Sequence, residues 1–250
     1  MVQVVWIIGG SEGIGFELCK IYLAQNHTLI VSARDTHNSK NLLALKKQYP
    51  QSLYLIDIDV SETKSVQEAT QKVSSIYGAI DICVYNAGLY EKMQLLDWKV
   101  ASFEAMAQVN YLGAVRVIDA LVPIFLEQKK GHLVFNISIA SYFGLAYGGG
   151  YSAPKAALLN LCESLQPELK SKAIKLQVIN HGFVKTRLTQ KNDFEMPQLL
   201  EPKEAAQKIY HGVMHTKSFE IKFPWALTRF ISFLRLLPYT LSLKLTQRLL

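Results

Sequence analysis

Tyr151 and Lys155 stand four residues apart at the start of a helix-like run, so both side chains leave one face. A free tyrosine has a pKa of about 10 and moves protons poorly near neutrality. A nearby ammonium stabilises the phenolate and brings the tyrosine closer to useful acid–base work. Ser138 lies thirteen residues before Tyr151, after the apolar run "HLVFNIS". Its hydroxyl is suited to hydrogen-bond a substrate oxygen as charge develops there. Such a pair is common on helices, and its weight comes from the motifs around it.

The most telling of these is "GGSEGIG", which follows the strand-like run Val4 to Ile8 and places Gly9, Gly13 and Gly15 in the order G-x-x-x-G-x-G. Glycines here allow a tight turn, close approach of backbone N–H groups to a pyrophosphate, and close packing of the next helix on the sheet. Gly9, Ser11, Glu12, Gly13, Ile14 and Gly15 are therefore candidate phosphate neighbours. Glu12 suits a helix's first turn electrostatically, but as a neighbour of phosphates it is unhelpful. The next strand ends in "VSARD". A free ribose 2′-hydroxyl is usually held there by Asp or Glu, and a 2′-phosphate by Arg, so Arg34 favours NADP(H) over NAD(H). "YNAG", with Asn86, Ala87 and Gly88, closes the fourth apolar run as a tight turn.

These motifs sit at the ends of a regular alternation of apolar β-rich runs with helix-like segments. The strand-like runs are "VQVVWIIG", "HTLIVSAR", "SLYLIDID", "IDICVYNAG", "GHLVFNIS" and "IKLQVINHG", the last closing the regular part. Runs apolar on both faces belong to strands covered on both sides, and the βαβ rhythm implies parallel pairing. The expected architecture is a single-domain α/β, doubly wound parallel sheet, a Rossmann fold, with its ligand at the carboxyl ends of the strands.

Composition narrows the function. Half of the 250 residues are hydrophobic and 19% are charged, as in a globular chain with a large core. Cys19, Cys83 and Cys162 are widely spaced and form no CxxC pair, which points to buried thiols in a reducing, intracellular setting and to no zinc site. His211 and His215 lack a third ligand nearby, so no metal is expected. The formal charge of +7 is concentrated in the tail: Lys222, Arg229, Arg235, Lys244 and Arg248 are joined by no acidic residue after Glu220. The bulk of the chain is close to neutral, which argues against nucleic acid as a partner.

From about Val2 to Thr186 the sequence resembles the classical short-chain dehydrogenases/reductases. Their T-G-x-x-x-G-x-G appears as "IGGSEGIG", their N-A-G as Asn86 to Gly88, and their Ser…Tyr-x-x-x-Lys set as Ser138, Tyr151 and Lys155. The aspartate near the adenine matches Asp59, with Val60 beside it, and the asparagine of the fourth helix matches Asn110. Thr186, with Gly182 and Val184, falls on the family's P-G-x-x-x-T. The resemblance implies that Tyr151 protonates a carbonyl while nicotinamide delivers hydride. It also implies that Lys155 binds the nicotinamide ribose, that Ser138 positions the carbonyl, and that Asn110 holds a relay water. Two departures stand out: Ile8 replaces the family's threonine, and His181 its proline, the latter expected as a solvent-facing loop residue, with an imidazole near the nicotinamide as the alternative. Many NADP(H)-binding members also carry a basic residue where this chain has Glu12.

The resemblance further implies a substrate loop at about residues 183–202 and a homodimer or homotetramer built through the fourth and fifth helices. The expected function is NADPH-dependent reduction of a hydrophobic ketone or aldehyde. The alternatives are an NAD-dependent alcohol dehydrogenase of the same family and a dinucleotide-sensing regulator without turnover. An intact Ser138, Tyr151, Lys155 and Asn110 set speaks against the regulator. Residues 1–220 form the expected catalytic domain and 221–250 a basic amphipathic tail. On a helical wheel Thr228, Arg229, Ser232 and Arg235 share the polar side, and Leu227, Phe230, Ile231, Phe233, Leu234 and Leu237 the apolar one. That apolar face suits the surface of a membrane, and equally packing on the domain or across a subunit interface. The expected location is the cytoplasm, with peripheral attachment to the inner face of a membrane.

Overall fold

Strands apolar on both sides need helices on both sides. A computed structural model, which describes residues 2–144 and 146–247, shows that arrangement. In chain order the elements are β1 (Val4–Ile8), α1 (Gly13–Ala24), β2 (Thr28–Ala33), α2 (Lys40–Gln48), β3 (Leu53–Asp57), α3 (Thr63–Tyr77) and β4 (Ile82–Tyr85). Then come α4 (Val100–Ala107), a π-helical turn (Gln108–Leu112), α5 (Gly113–Gln128), β5 (Gly131–Asn136), α6 (Gly149–Ser171) and β6 (Ile174–His181). The chain continues through α7 (Pro202–His215), β7 (Glu220–Phe223), α8 (Trp225–Leu234) and α9 (Tyr239–Gln247).

The seven strands form one parallel sheet in the order β3-β2-β1-β4-β5-β6-β7. Successive side chains of a strand point to opposite faces, so each strand feeds two cores. Trp6, Ile8, Tyr85 and Phe135 join Val73, Leu121, Phe125 and Leu158 on the α3/α5/α6 side. Val5, Ile7, Val31 and Val84 join Leu18, Tyr22, Ile209 and Val213 on the α1/α7 side. Each fully buried side chain of this size stabilises the fold by roughly 1.5–3 kcal/mol relative to exposure.

The order of strands reverses between β1 and β4, which opens a crevice at their carboxyl ends. Ile8 is level with both Ser32 and Tyr85. Gly9, Arg34 and Asn86 therefore emerge side by side. The stretch Val100–Gln128 is long and apolar enough to cross a membrane. Here, however, its inner residues Met106, Ala114, Val117 and Phe125 are buried, and its π-helical turn carries Asn110.

Two sequence expectations change. The expected division at residues 220/221 falls inside Glu220–Phe223, which is the seventh strand. A boundary at residue 220 thus cuts through the sheet. β7 escaped notice because it is a four-residue edge strand in which Ile221 and Phe223 are buried while Lys222 faces solvent. The second change concerns α8, whose docked face is Thr228, Ile231 and Leu234. Thr228 tolerates burial because its hydroxyl donates to Pro224 O at 2.9 Å. Of the apolar side read from the sequence, Ile231 and Leu234 are buried while Phe230 and Phe233 are exposed, so that side is divided between domain and solvent. Arg248 lies outside the described residues.

Candidate active site

The glycine turn is built by backbone constraints that a side chain would break. Gly9 and Gly13 have φ of 87° and 55°, in the left-handed region that favours glycine. A Cβ on Gly15 would lie 2.1 Å from Gly9 O and 2.6 Å from Asn86 Nδ2. α1 starts at Gly13 with Glu12 as an extended N-cap residue that makes no side-chain cap. The first N–H groups of α1 are thus left without a side-chain partner, beside a cavity lined by Ser11, Glu12, Gly13 and Ile14. An uncapped helix start without a Cβ at its first residue fits a diphosphate. Glu12 is answered by Arg187, whose Nε lies 3.3 Å from its Oε2.

The cavity encloses about 1080 Å³ and runs along the carboxyl edge of the sheet. One end is lined by Arg34, Asp59 and Val60, the middle by Gly9, Asn86, Ala87 and Gly88, and the other end by Tyr151, Lys155, Val184 and Thr186. Arg34 is exposed, and among the described residues no carboxylate pairs with it. Asp35 instead accepts from Asn38 Nδ2 at 3.0 Å, and Asp57 accepts from Thr36 N at 2.7 Å and from its hydroxyl at 2.5 Å. With both neighbouring carboxylates engaged, the guanidinium is available to a phosphate. Asp59 is fixed by the amide and hydroxyl of Ser61, at 2.9 and 2.6 Å.

A chain of amides connects the glycine turn to Lys155. Asn86 Nδ2 donates to Gly9 O at 2.7 Å, and Asn136 Nδ2 donates to Asn86 Oδ1 at 2.7 Å. Lys155 Nζ in turn donates to Asn136 O at 2.9 Å. Lys155 is almost completely buried, and loss of hydration pushes its pKa down from 10.5 to about 7. Its ammonium nitrogen sits 5.6 Å from the centre of the Tyr151 ring. Burial pushes Tyr151 up to about 12, against a counteracting hydrogen bond from Ser138. The expectation that Lys155 would bring Tyr151 down is not met in this state. The lysine is itself poorly hydrated, and its hydrogen bond goes to a backbone carbonyl.

Ser138, Asn110, Gly15 and Gly182 do not line the cavity itself. Ser138 closes β5, its N–H donating to Asn180 Oδ1 at 3.3 Å and its Oγ accepting from Ala140 N at 3.2 Å. Asn110 is fully buried and clamps the backbone of Leu89, accepting from its N–H at 3.0 Å and donating to its O at 2.7 Å. A Cβ built on Gly88 would lie 3.4 Å from Asn110 Oδ1 and 4.0 Å from Lys155 Nζ, which places both groups around one glycine. Gly15 serves packing against Gly9. Gly182 makes room for Pro224 and Leu227, 3.0 and 2.9 Å from where its Cβ would be.

Sequence reasoning missed three polar residues. Asn136 bridges the amide chain. Asn180 supports Ser138 and donates to Glu220 Oε1 at 2.7 Å, while Glu220 also accepts from the Tyr142 hydroxyl. The available signal was a polar residue interrupting or ending an apolar strand. His181, expected as a solvent-facing loop residue, instead lines the cavity. It is the last residue of β6, its ring stacks on Phe223 at 6.0 Å, and burial lowers its pKa to about 4, so it is neutral near pH 7.

The geometry matches known proteins. The family model described as short chain dehydrogenase matches residues 3–196. An uncharacterised oxidoreductase of Myxococcus xanthus is 30% identical over 226 residues, covering 88% of this chain and 87% of that protein. An alcohol dehydrogenase from Thermococcus sibiricus, complexed with 5-hydroxy-NADP, superposes with a TM-score of 0.78 at 25% identity, covering 89% of this chain and 96% of that one. A short-chain dehydrogenase/reductase from Burkholderia phymatum in complex with NAD superposes with a TM-score of 0.82 at 18% identity, covering 92% of each chain. The chain belongs to the classical short-chain dehydrogenase/reductase family, oxidoreductases that work with a nicotinamide dinucleotide.

Proposed function

We propose that the protein is a reductase of hydrophobic ketones or aldehydes that draws on NADPH. The observation that carries this reading is the pairing of Arg34, which has no carboxylate partner among the described residues, at one end of the cavity with Tyr151 and Lys155 at the other. A bound nicotinamide dinucleotide supplies the hydride. The chain's own residues handle the proton. Held up at about 12, the Tyr151 phenol is protonated at neutral pH and stands as the acid for a carbonyl oxygen. The tyrosinate left behind is stabilised by the Ser138 hydroxyl and the Lys155 ammonium. Lys155, at about 7, titrates in the range where it can return a proton.

The walls near Tyr151 support a hydrophobic substrate: Tyr90 meets its ring edge-on at 5.2 Å, and Leu89 and Leu188 line the adjoining surface. The choice of NADPH rests on Arg34, because Glu12 and Arg187 neutralise each other. The test is Arg34→Ala. Loss of a charge-assisted contact worth about 1.5–3 kcal/mol raises the KM for NADPH by roughly ten- to a hundredfold and leaves NADH nearly unchanged. Equal effects on both cofactors would overturn the NADPH assignment and favour an NAD-dependent enzyme.

A further inference from the structure

We infer that the exposed face of α8 and α9 docks on the surface of an anionic phospholipid bilayer, with the substrate entrance turned toward that surface. α8 has two unlike sides. Thr228, Ile231 and Leu234 pack on Ile139, Tyr142 and Phe143, the turn that follows Ser138. The opposite side presents Trp225 at 71% exposure with Phe230 and Phe233, and Leu236, at 80%, and Tyr239 follow it open to solvent. Arg229 lies across the Trp225 ring, 4.7 Å from its centre. Aromatic rings beside guanidinium and ammonium groups are the side chains that settle at a headgroup boundary. At ten residues α8 is too short to span a bilayer, so it can only lie along one.

Charge selects the occupant. No acidic residue follows Glu220 in the sequence. Among the described residues Arg229, Arg235 and Lys244 have no carboxylate partner, while Lys222 pairs with Glu220 at 3.2 Å. A second copy meeting this face through its own would set arginine against arginine, because a two-fold contact pairs a patch with itself. An anionic lipid surface answers all three cations at once.

Topology orients the contact. All seven strands are parallel, so β7 ends on the same sheet edge as the cavity, and α8 begins two residues after Phe223. The Leu227 N–H donates to Gln198 Oε1 at 3.1 Å, tying α8 to the substrate loop. Leu95, Leu96 and Trp98, in the loop leaving β4 on that edge, are exposed as well. What the entrance takes from the lipid depends on the reductase reading; the docking itself does not.

The experiment is co-sedimentation of the full chain with vesicles of phosphatidylcholine alone and of phosphatidylcholine mixed with phosphatidylglycerol. About 1 kcal/mol for each of three cations gives roughly a hundredfold preference for the anionic vesicles, reduced by salt. Trp225→Ala, Phe233→Ala and Leu236→Ala together should abolish sedimentation. The combination Arg229→Gln, Arg235→Gln and Lys244→Gln should erase the preference while leaving the apolar surface intact. Equal partition to both vesicles overturns the inference. So does a triple apolar variant that still sediments, or one that instead halves the sedimentation-equilibrium mass and so reveals a protein contact. NADPH oxidation with a water-soluble ketone is measured in parallel, so loss of docking and failure of the reductase reading are told apart.

Discussion

Replacing Lys155 by methionine removes a buried charge while keeping most of the side chain's volume. Lys155 is 3% exposed, so solvent screening does not dilute the effect. The fall of its pKa from 10.5 to about 7 corresponds to roughly 4–5 kcal/mol at about 1.36 kcal/mol per tenfold change in proton affinity. The sign follows from proton counting. Below pH 7 both folded and unfolded states hold the proton, and the folded state carries the whole penalty. Between pH 7 and 10.5 the unfolded chain binds more protons, so wild-type stability climbs with pH; above 10.5 both states are neutral and the penalty is gone. Methionine also leaves Asn136 O without its donor, a pH-independent loss of about 1–3 kcal/mol. Lys155→Met is therefore expected to be more stable than wild type by about 2 kcal/mol below pH 7 and less stable above 10.5, the two curves crossing between. Urea unfolding of the cofactor-free proteins across this range, followed by circular dichroism, measures the difference directly. A difference that stays flat with pH would refute a desolvated ammonium at this position.

Tyr151→Phe should lower turnover by a factor of about 10² to 10⁴ while dinucleotide binding, followed by cofactor fluorescence, stays close to wild type. Gly15→Ala should prevent folding or lower the melting temperature severely, because the new Cβ meets Gly9 O at 2.1 Å on a backbone with no room to move. Glu12→Lys should strengthen NADPH binding relative to NADH in titrations. Its effect on stability should stay within about 1 kcal/mol, because the Glu12–Arg187 pair is more than half exposed on both sides.

The candidate site was legible where its motifs are local in sequence. A glycine turn after an apolar run, Tyr-x-x-x-Lys on a helix and an arginine after the second strand are each read within a few residues. The sheet was legible because strands buried on both faces leave continuous apolar runs. What escaped depends on contacts made across the fold. β7 is four residues long, and its place in the sheet is set by β6. The docked side of α8 is chosen by the Ile139–Phe143 surface it meets, so the apolar periodicity of the helix alone put Thr228 on the wrong side and left open which of the apolar residues would dock. His181 reads as a loop residue in isolation, but extension of β6 to its position brings it onto the cavity wall. The pKa values of Tyr151 and Lys155 follow from burial, which no spacing reveals.

The amide chain from Gly9 through Asn86 and Asn136 to Lys155 also divides the molecule for anyone wishing to redesign it. Residues on that chain are joined by hydrogen bonds, and altering one is expected to disturb the glycine turn and the surroundings of Lys155 together. Arg34 and Glu12 stand outside it, exposed and bonded to none of its members. On the proposed NADPH reading, cofactor choice is in this sense a detachable module, expected to be open to exchange without retuning Tyr151 and Lys155.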